Sequence, residues 1–313
     1  MNKYNLTVVN EFILLGLTNR PELQAPLFVL FLIIYMTSLV GNLGLIILTK
    51  MVATLQTPMY FFLRYLALTD LGYSTAVGPK MLVNFVADLN TISYYFCATQ
   101  LAIFDLFICY EVFILSVMSY DRYVAICNPL LYTVIMSERV CLTLVIIPYL
   151  YSAFVSLIVT INLFSLPFCG YNVINHFYCD NLPLLSLLCS STHVVEFLIL
   201  FFSALNLIFT LLVVLASYLL IFIAVFKMKS AEERHKAFST CGSHLMVVII
   251  LYGTLLFMYV KPKSSHSIDM DKMASIFYTL VIPMLNPLIY SFRNKDVKHS
   301  LVRLWKKICS IFS

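Results

Sequence analysis

MSYDRYVAIC, residues 118–127, places an acid and a base, Asp121 and Arg122, at the end of a long apolar segment. Adjacent residues on a helix point about 100° apart, so these two side chains do not share one face as an ideal ion pair would. Such a pair is either a snorkelling anchor at the membrane edge or part of a functional site. The rest of the chain has to distinguish these two interpretations.

The composition of the chain requires contact with lipid. Of 313 residues, 61% are hydrophobic and 11% are charged, whereas a soluble domain carries about 25% charged residues. The net charge of +5 includes no Lys/Arg block with interleaved aromatic residues, so we expect no nucleic-acid partner. Polar residues interrupt the apolar run in residues 1–26, and the first membrane span is therefore expected to serve as an uncleaved signal.

Runs without charged residues predict the membrane spans, since a helix needs about 20 apolar residues to cross about 30 Å of hydrocarbon. Five runs lack Asp, Glu, Lys and Arg between their bounding residues: 22–50, 139–180, 196–227, 236–261 and 272–293. Two further spans, 59–79 and 94–120, contain internal charges. The sequence therefore predicts an all-α membrane protein, with a seven-transmembrane helix bundle over residues 26–292 as its single domain.

Basic residues and one sequon predict the orientation. Seven spans place the termini on opposite sides, and the Asn-Leu-Thr sequon at Asn5 is useful only on an exported face. With the N-terminus outside, fourteen Lys and Arg residues lie inside and six outside, in agreement with the positive-inside rule. We expect a multi-pass plasma-membrane protein with residues 1–25 extracellular, glycosylated at Asn5, and a cytoplasmic C-terminus.

Four cysteines fall on the predicted outer side: Cys97, Cys169, Cys179 and Cys189. An exported face is oxidising, so disulfides are expected among them. The sequence alone allows three pairings.

Residues 293–313 predict a cytoplasmic tail with a short amphipathic eighth helix. Its apolar face consists of Val297, Leu301, Leu304, Trp305 and Ile308, and its basic flank of Lys298, Arg303, Lys306 and Lys307. Such a helix lies along the anionic inner leaflet. Cys309 follows as a candidate palmitoylation site.

Sequence patterns of enzymes and transporters are missing. The chain has no His-Glu-x-x-His, no glycine-rich phosphate loop and no Gly-x-Ser-x-Gly, and its six histidines show no metal-ligand spacing. We therefore expect no catalytic residue, no cofactor and no metal. A small transporter or channel is the main alternative class, and the lack of an inverted repeat with broken helices disfavours it.

Ionisable residues inside a span are expensive and point to function. Asp70 lies at mid-membrane depth, and Asn42 and Asn286 lie at similar depth on the first and seventh spans. Together they could hold a hydrated ion or a water network, or act as a static polar clamp. Pro287 removes a backbone donor and predicts a kink.

Six motifs occur in order on successive predicted helices: Gly41-Asn42, PMYFFL at 58–63, MSYDRYVAIC at 118–127, Ser217-Tyr218, KAFSTCGSH at 236–244 and PMLNPLIY at 283–290. With these motifs the chain resembles the odorant receptors of the rhodopsin-like G-protein-coupled receptor superfamily. Asp-Arg-Tyr and Asn-Pro-x-x-Tyr are typical of the superfamily, and the longer strings are typical of the odorant branch. The resemblance covers essentially the whole chain.

This resemblance implies roles for several residues. Arg122, restrained by Asp121 in the inactive state, would engage the G-protein, with Tyr218 and Tyr290 swinging toward it. The complete predicted switch comprises Asp121, Arg122, Tyr123, Tyr218, His235, Lys236 and Tyr290. The predicted polar relay is Asn42, Asp70 and Asn286, and the implied disulfides are Cys97 with Cys179 and Cys169 with Cys189.

In the family, ligands bind between the outer halves of helices three, five, six and seven. On helix three, residues at three-to-four spacing share a face: Phe104, Asp105, Ile108, Cys109 and Val112. The expected counterparts are Phe202, Asn206, Tyr252, Leu255, Tyr259 and Thr279. Ordinary helix packing is the alternative for each residue. Asp105 favours an amine or hydroxyl-bearing ligand, unless it is a protonated acid bonded to a neighbouring helix.

The predicted function is therefore that of an odorant receptor. A small hydrophobic odorant would bind in the outer half of the bundle, and a stimulatory, olfactory-type heterotrimeric G-protein would bind inside and raise cyclic AMP. A receptor of the same fold for a non-odorant metabolite in another tissue is the alternative that the sequence leaves open.

Overall fold

The computed structural model describes residues 9–18, 20–87, 90–168, 172–260, 268–293 and 297. Within them, seven long helices pack into a bundle. They are α1 (Pro21–Met51), α2 (Pro58–Asn84), α3 (Tyr94–Cys127), α4 (Glu138–Phe164), α5 (His193–Lys227), α6 (Ala231–Val260) and α7, which comprises Ile268–Ile276, a π-helical turn Phe277–Val281 and Ile282–Arg293. Asn5, Cys169 and the predicted amphipathic stretch beyond Val297 lie outside the described residues.

Five of these helices are long and apolar enough to cross a membrane: α1, α3, α4, α5 and, over Met270–Ser291, α7. In α6 the apolar part is the shorter Cys241–Phe257. Helix α2 is long enough but less apolar than these five, because it carries buried polar residues such as Thr69 and Asp70. It packs between α1 and α3, whereas α1, α4 and α5 expose many large hydrophobic side chains. Such surfaces face lipid, and the chain is a multi-pass membrane protein.

Helix ends follow local signals. Pro58 starts α2 at a position where its missing N–H costs nothing, and the Ser93 hydroxyl caps α3 by accepting from the Phe96 N–H at 3.3 Å. The predicted spans 59–79 and 94–120 are shorter than α2 and α3, because Pro79 lies inside α2 and α3 continues beyond the apolar segment. Helix α3 ends before Asn128, whose position ahead of Pro129 disfavours helix.

The seventh helix is irregular upstream of the predicted kink. The π-helical turn Phe277–Val281 precedes the segment that contains Pro287. Because Pro287 has no N–H, the carbonyl of Pro283 loses its helical donor, and the Asn42 side chain of α1 donates to it at 2.9 Å. A Cβ at Gly41 would lie 2.9 Å from Pro287 Cγ, so glycine lets the two helices approach.

One end of the bundle carries a small sheet. Strand β1 (Glu11–Leu14) pairs antiparallel with β2 (Thr91–Ser93) and parallel with β3 (Val173–Ile174). Phe12 and Leu14 alternate into a buried cluster that includes Cys97. The disulfide Cys97–Cys179 ties α3 to the loop after β3. We call this the sheet end, and the opposite end, with Asp121 and Arg122, the Asp-Arg end.

Candidate functional site

A cavity of about 110 Å³ lies near the sheet end, between α3, α4, α5 and α6. We call it the inner cavity. Seven of its lining residues belong to the set expected from the sequence: Asp105, Ile108, Cys109, Val112, Phe202, Asn206 and Leu255. The described structure therefore brings together four of the five residues on the predicted face of α3, both expected residues of α5 and one of the three expected residues of α6.

Three expected residues lie outside this lining. Phe104 packs against Tyr178, with ring centroids 5.2 Å apart. The Tyr252 hydroxyl donates to the Val112 carbonyl at 3.3 Å, and Thr279 donates within its own helix. The side chain of Tyr259 is outside the described part. None of the described α7 residues lines the cavity, so this arrangement differs from the expected contribution of helix seven.

Helix α4 contributes a wall that the sequence did not indicate. Val155, Ser156 and Val159 line the inner cavity, and the Ser156 hydroxyl donates to the Ala102 carbonyl of α3 at 2.6 Å. A signal was available, because Ser152, Ser156 and Thr160 recur every four residues and therefore share one face of α4. All three are buried, whereas the remaining positions are mostly apolar and do not by themselves distinguish the cavity face from the lipid face.

The Asp105 carboxylate is held at the edge of the inner cavity by a loop residue. The Asn181 side-chain amide donates to both carboxylate oxygens, at 3.1 and 3.0 Å. Neither alternative considered for Asp105 included this partner, which belongs to the short helix Asn181–Leu185 rather than to a neighbouring long helix. Burial raises the pKa of Asp180, the residue before Asn181, to about 6. The hydrogen bond from the Asn181 backbone N–H acts in the opposite direction and lowers this pKa.

The loop before Cys179 covers the bundle at the sheet end. His176, Phe177 and Tyr178 are buried, and the Tyr178 hydroxyl lies 2.9 Å from the Tyr278 hydroxyl of α7. Burial, followed by the positive charge of Lys272, lowers the pKa of His176 to about 3. The loop is therefore a fixed lid, pinned by the Cys97 disulfide and by aromatic packing.

A buried polar cluster lies between the inner cavity and the Asp-Arg end. The Asn286 amide donates to both Asp70 oxygens, at 3.1 and 3.0 Å, and the Tyr73 hydroxyl donates to Oδ1 at 3.3 Å. Asn42 does not join them, since its amide donates to the carbonyls of Ser38 and Pro283. Instead, the buried Glu111 carboxyl group lies beside Tyr73 and Asn286, the two residues whose side chains donate to Asp70.

At the Asp-Arg end, Asp121 is bonded to a residue that the sequence did not single out. The Tyr132 hydroxyl, from the one-turn helix Tyr132–Ile135, donates to Asp121 Oδ1 at 2.8 Å. Within the described part of the chain, no hydrogen bond or ion pair joins Asp121 to Arg122. Arg122 is half-buried, and its Nε lacks a partner there. Asp121 is thus held by Tyr132, and the Arg122 Nε remains able to donate a hydrogen bond to another group.

Helices α5 and α6 are joined beside Arg122. The Tyr218 hydroxyl lies 2.7 Å from His244 Nδ1, and both side chains are buried. The sequence indicates no contact for His244 beyond its place at the end of the KAFSTCGSH motif. Tyr290 is buried near Arg122, with its hydroxyl unpartnered among the described residues. Tyr123 is half-buried, His235 is exposed, and the side chain of Lys236 is outside the described part.

Comparisons with known proteins find sequences that are similar to this chain over most of its length. A family model described as "Olfactory receptor" matches residues 31–307. Human olfactory receptor 8K3 is 71% identical over 312 residues and is covered completely, as is this chain. Human olfactory receptor 8K1 is 63% identical, with 96% of this chain and 95% of the relative covered. Mouse olfactory receptor 8U3 is 58% identical, with 95% and 93% covered.

Among solved structures, squid rhodopsin has a similar fold. Its crystal structure gives a TM-score of 0.71 at 18% sequence identity, over 92% of this chain and 87% of the rhodopsin chain. At this identity the similarity establishes the architecture alone.

Proposed function

Because the chain belongs to the olfactory receptor family, we propose that it binds a small odorant in the inner cavity and activates a stimulatory, olfactory-type G-protein, which raises cyclic AMP. The observation that carries the proposal concerns α3. This one uninterrupted helix lines the inner cavity with Val112 and carries Arg122 at the opposite end. Ten residues of helix span about 15 Å, so a ligand that shifts α3 also displaces Arg122.

The ligand chemistry follows from the lining of the inner cavity. Most of its wall is apolar, and Asp105 already accepts two hydrogen bonds from Asn181. An apolar wall with a few polar groups suits an uncharged, mostly hydrophobic molecule. We propose that a ligand hydroxyl donates to the Asp105–Asn181 pair, in which Asn181 Oδ1 has no hydrogen-bond partner among the described residues.

The Asp-Arg end provides the output of the proposed switch. Tyr132 holds Asp121, which leaves Arg122 available to a G-protein. Tyr218 and Tyr290 lie close enough to Arg122 to interact with it electrostatically. In our proposal, the cluster of Asp70, Asn286 and Glu111 relays the movement of α3 toward the Asp-Arg end. Two buried carboxyl groups need a shared proton or a counter-ion, so a shift of the helices that carry them changes how their charge is compensated.

The proposed orientation places the sheet end outside the cell. A disulfide lies at this end and disulfides form on exported faces. The proposal keeps residues 1–25 extracellular with Asn5 glycosylated, residues 26–292 as the bundle, and residues 293–313 as a cytoplasmic amphipathic helix and tail. Cys189 is also disulfide-bonded, and we propose Cys169 as its partner.

The experiment is an odorant panel with a cyclic-AMP readout in cells that co-express the olfactory G-protein. We expect a response in the parent, and a shift to higher odorant concentration in Leu255→Trp, because indole fills the inner cavity. Leu256→Trp is the matched control, since Leu256 is exposed on the same helix and outside the lining. Equal responses of both variants, at equal surface expression, would remove the inner cavity from the mechanism.

A further inference from the structure

A second, larger cavity opens on the outer surface of α3, α4 and α5. Its volume is about 520 Å³, within the range of about 300–1,000 Å³ that is typical of small-molecule sites. It lies closer to the Asp-Arg end than the inner cavity does, between Tyr120 and Tyr151. We call it the bilayer cleft.

The mouth of the bilayer cleft faces lipid. Three of its lining residues are large, apolar and exposed: Ile147 by 61%, Leu205 by 47% and Phe209 by 55%. In a multi-pass protein such surfaces contact hydrocarbon. Molecules that enter the cleft therefore come from the bilayer, and its lining includes no charged residue among those described.

The walls of the cleft are ordered by aromatic contacts. The rings of Phe113 and Tyr151 meet edge to face at 5.4 Å between centroids, and those of Phe113 and Phe209 lie 6.2 Å apart. Such pairs favour defined ring orientations. A site that is already formed loses little conformational freedom on binding, which favours a small occupant, with fewer rotatable bonds to order, over a long lipid chain.

One residue layer separates the cleft from the inner cavity. Asn206 lines both. Its Oδ1 accepts from the Tyr151 hydroxyl at 2.8 Å, and its Nδ2 donates to Cys109 Sγ at 3.2 Å. At the sheet end, by contrast, the inner cavity is bounded by the Asp105–Asn181 contact and the loop that carries the disulfide. The two cavities therefore adjoin within the membrane.

We propose that the bilayer cleft is a second binding site for the class of uncharged, apolar small molecule that the inner cavity takes, supplied from the bilayer and adjoining the inner cavity at Asn206. For the ligand class this rests on the proposed function. Apolar molecules partition from water into hydrocarbon, so the bilayer concentrates them at the mouth of the cleft.

The test uses photolabelling of the full chain in proteoliposomes with a diazirine analogue of octanol. Labelled residues are mapped by mass spectrometry, with and without excess unlabelled octanol. We expect labels in both the cleft and the inner cavity, and loss of both with the competitor. Val213→Trp, which fills the cleft, should lose only the cleft labels. Leu212→Trp, on the exposed neighbouring residue, is the matched control, and Leu144→Phe replaces Val213→Trp if that variant does not fold.

The outcomes separate this inference from the proposed function. Labels that are confined to the inner cavity overturn the second site and leave the proposed function standing. Cleft labels that octanol does not reduce indicate a resident lipid chain and also overturn it. Competed cleft labels without inner-cavity labels support the second site and contradict the proposed ligand class of the inner cavity.

Discussion

At the residue scale, Asn42 shows how one helix compensates a defect in another. Pro287 leaves the Pro283 carbonyl of α7 without its usual donor, and the Asn42 amide of α1 replaces that donor at 2.9 Å. Both groups are buried, so an unmade bond would not be replaced by water. The contact ties α1 to α7.

Asn42→Leu should destabilise the protein by about 1–3 kcal/mol, because it leaves the Pro283 carbonyl buried and unpaired. The measurement is the thermal unfolding midpoint of purified receptor in detergent. Asn162→Leu is the control, since the Asn162 amide donates to the Ile158 carbonyl of its own helix. Equal midpoints for the two variants would contradict this role of Asn42.

His176 predicts a dependence of stability on pH. Its pKa of about 3 in the folded protein lies below the unfolded value of about 6.5. Neutral His176 therefore leaves the folded protein at full stability above about pH 6.5. As the pH falls toward 3, the free energy of unfolding decreases, by about 2 kcal/mol at pH 5, because protonation of His176 favours the unfolded state. Asp180 opposes this, because its raised pKa favours proton uptake by the folded state between about pH 6 and 4.

The measurement compares unfolding midpoints at pH 7.5 and pH 5 for the parent and for His176→Gln, which cannot take up the proton. The parent should lose more stability on acidification than the variant. The difference between the two chains isolates His176, since Asp180 is present in both. An equal loss in both chains would show that His176 is not buried as a neutral group.

The sequence predicted the membrane depth of the polar residues better than it predicted their hydrogen-bond partners. It placed Asp70, Asn42 and Asn286 at one level, but only Asp70 and Asn286 meet. Depth follows from residue number along a helix, whereas partners depend on how each helix is rotated in the bundle. For the same reason Tyr132 and His244 were missed, because their contacts to Asp121 and Tyr218 join separate elements.

At the element scale, strand β1 exists because two loops offer it backbone partners. The Ile13 N–H donates to the Asn172 carbonyl at 2.7 Å, and the Leu14 N–H to the Asn90 carbonyl at 2.8 Å. A four-residue strand has no stability alone, so local sequence does not predict it. The long helices, by contrast, follow from apolar length and from proline and serine at their starts.

Ile13→Pro should lower the unfolding midpoint, because proline removes the donor to Asn172 and cannot continue this central strand. Ile13→Val, which keeps the N–H and a β-branched side chain, is the control and should remain close to the parent. Thermal unfolding in detergent measures both. An unchanged midpoint in Ile13→Pro would mean that the sheet adds nothing to the stability of the sheet end.

At the scale of the whole molecule, α3 connects all the candidate sites. It carries Cys97 in the disulfide, Asp105 in the inner cavity, Glu111 in the polar cluster and Arg122 at the Asp-Arg end. This order depends only on distance along one helix and therefore follows directly from residue number. The sequence did not predict the wall from α4 or the bilayer cleft, which depend on the spacing between helices.

The central claim is that a ligand in the inner cavity changes the activity of the Asp-Arg end. The direct measurement is ligand-stimulated nucleotide exchange on purified stimulatory olfactory-type G-protein, with the receptor in lipid nanodiscs and an odorant that is active in the cell panel. The account predicts faster exchange with the parent, a higher odorant requirement with Leu255→Trp, and no stimulation with Arg122→Ala. Undiminished stimulation by Arg122→Ala, or ligand-dependent solute flux without any exchange in the parent, would contradict it.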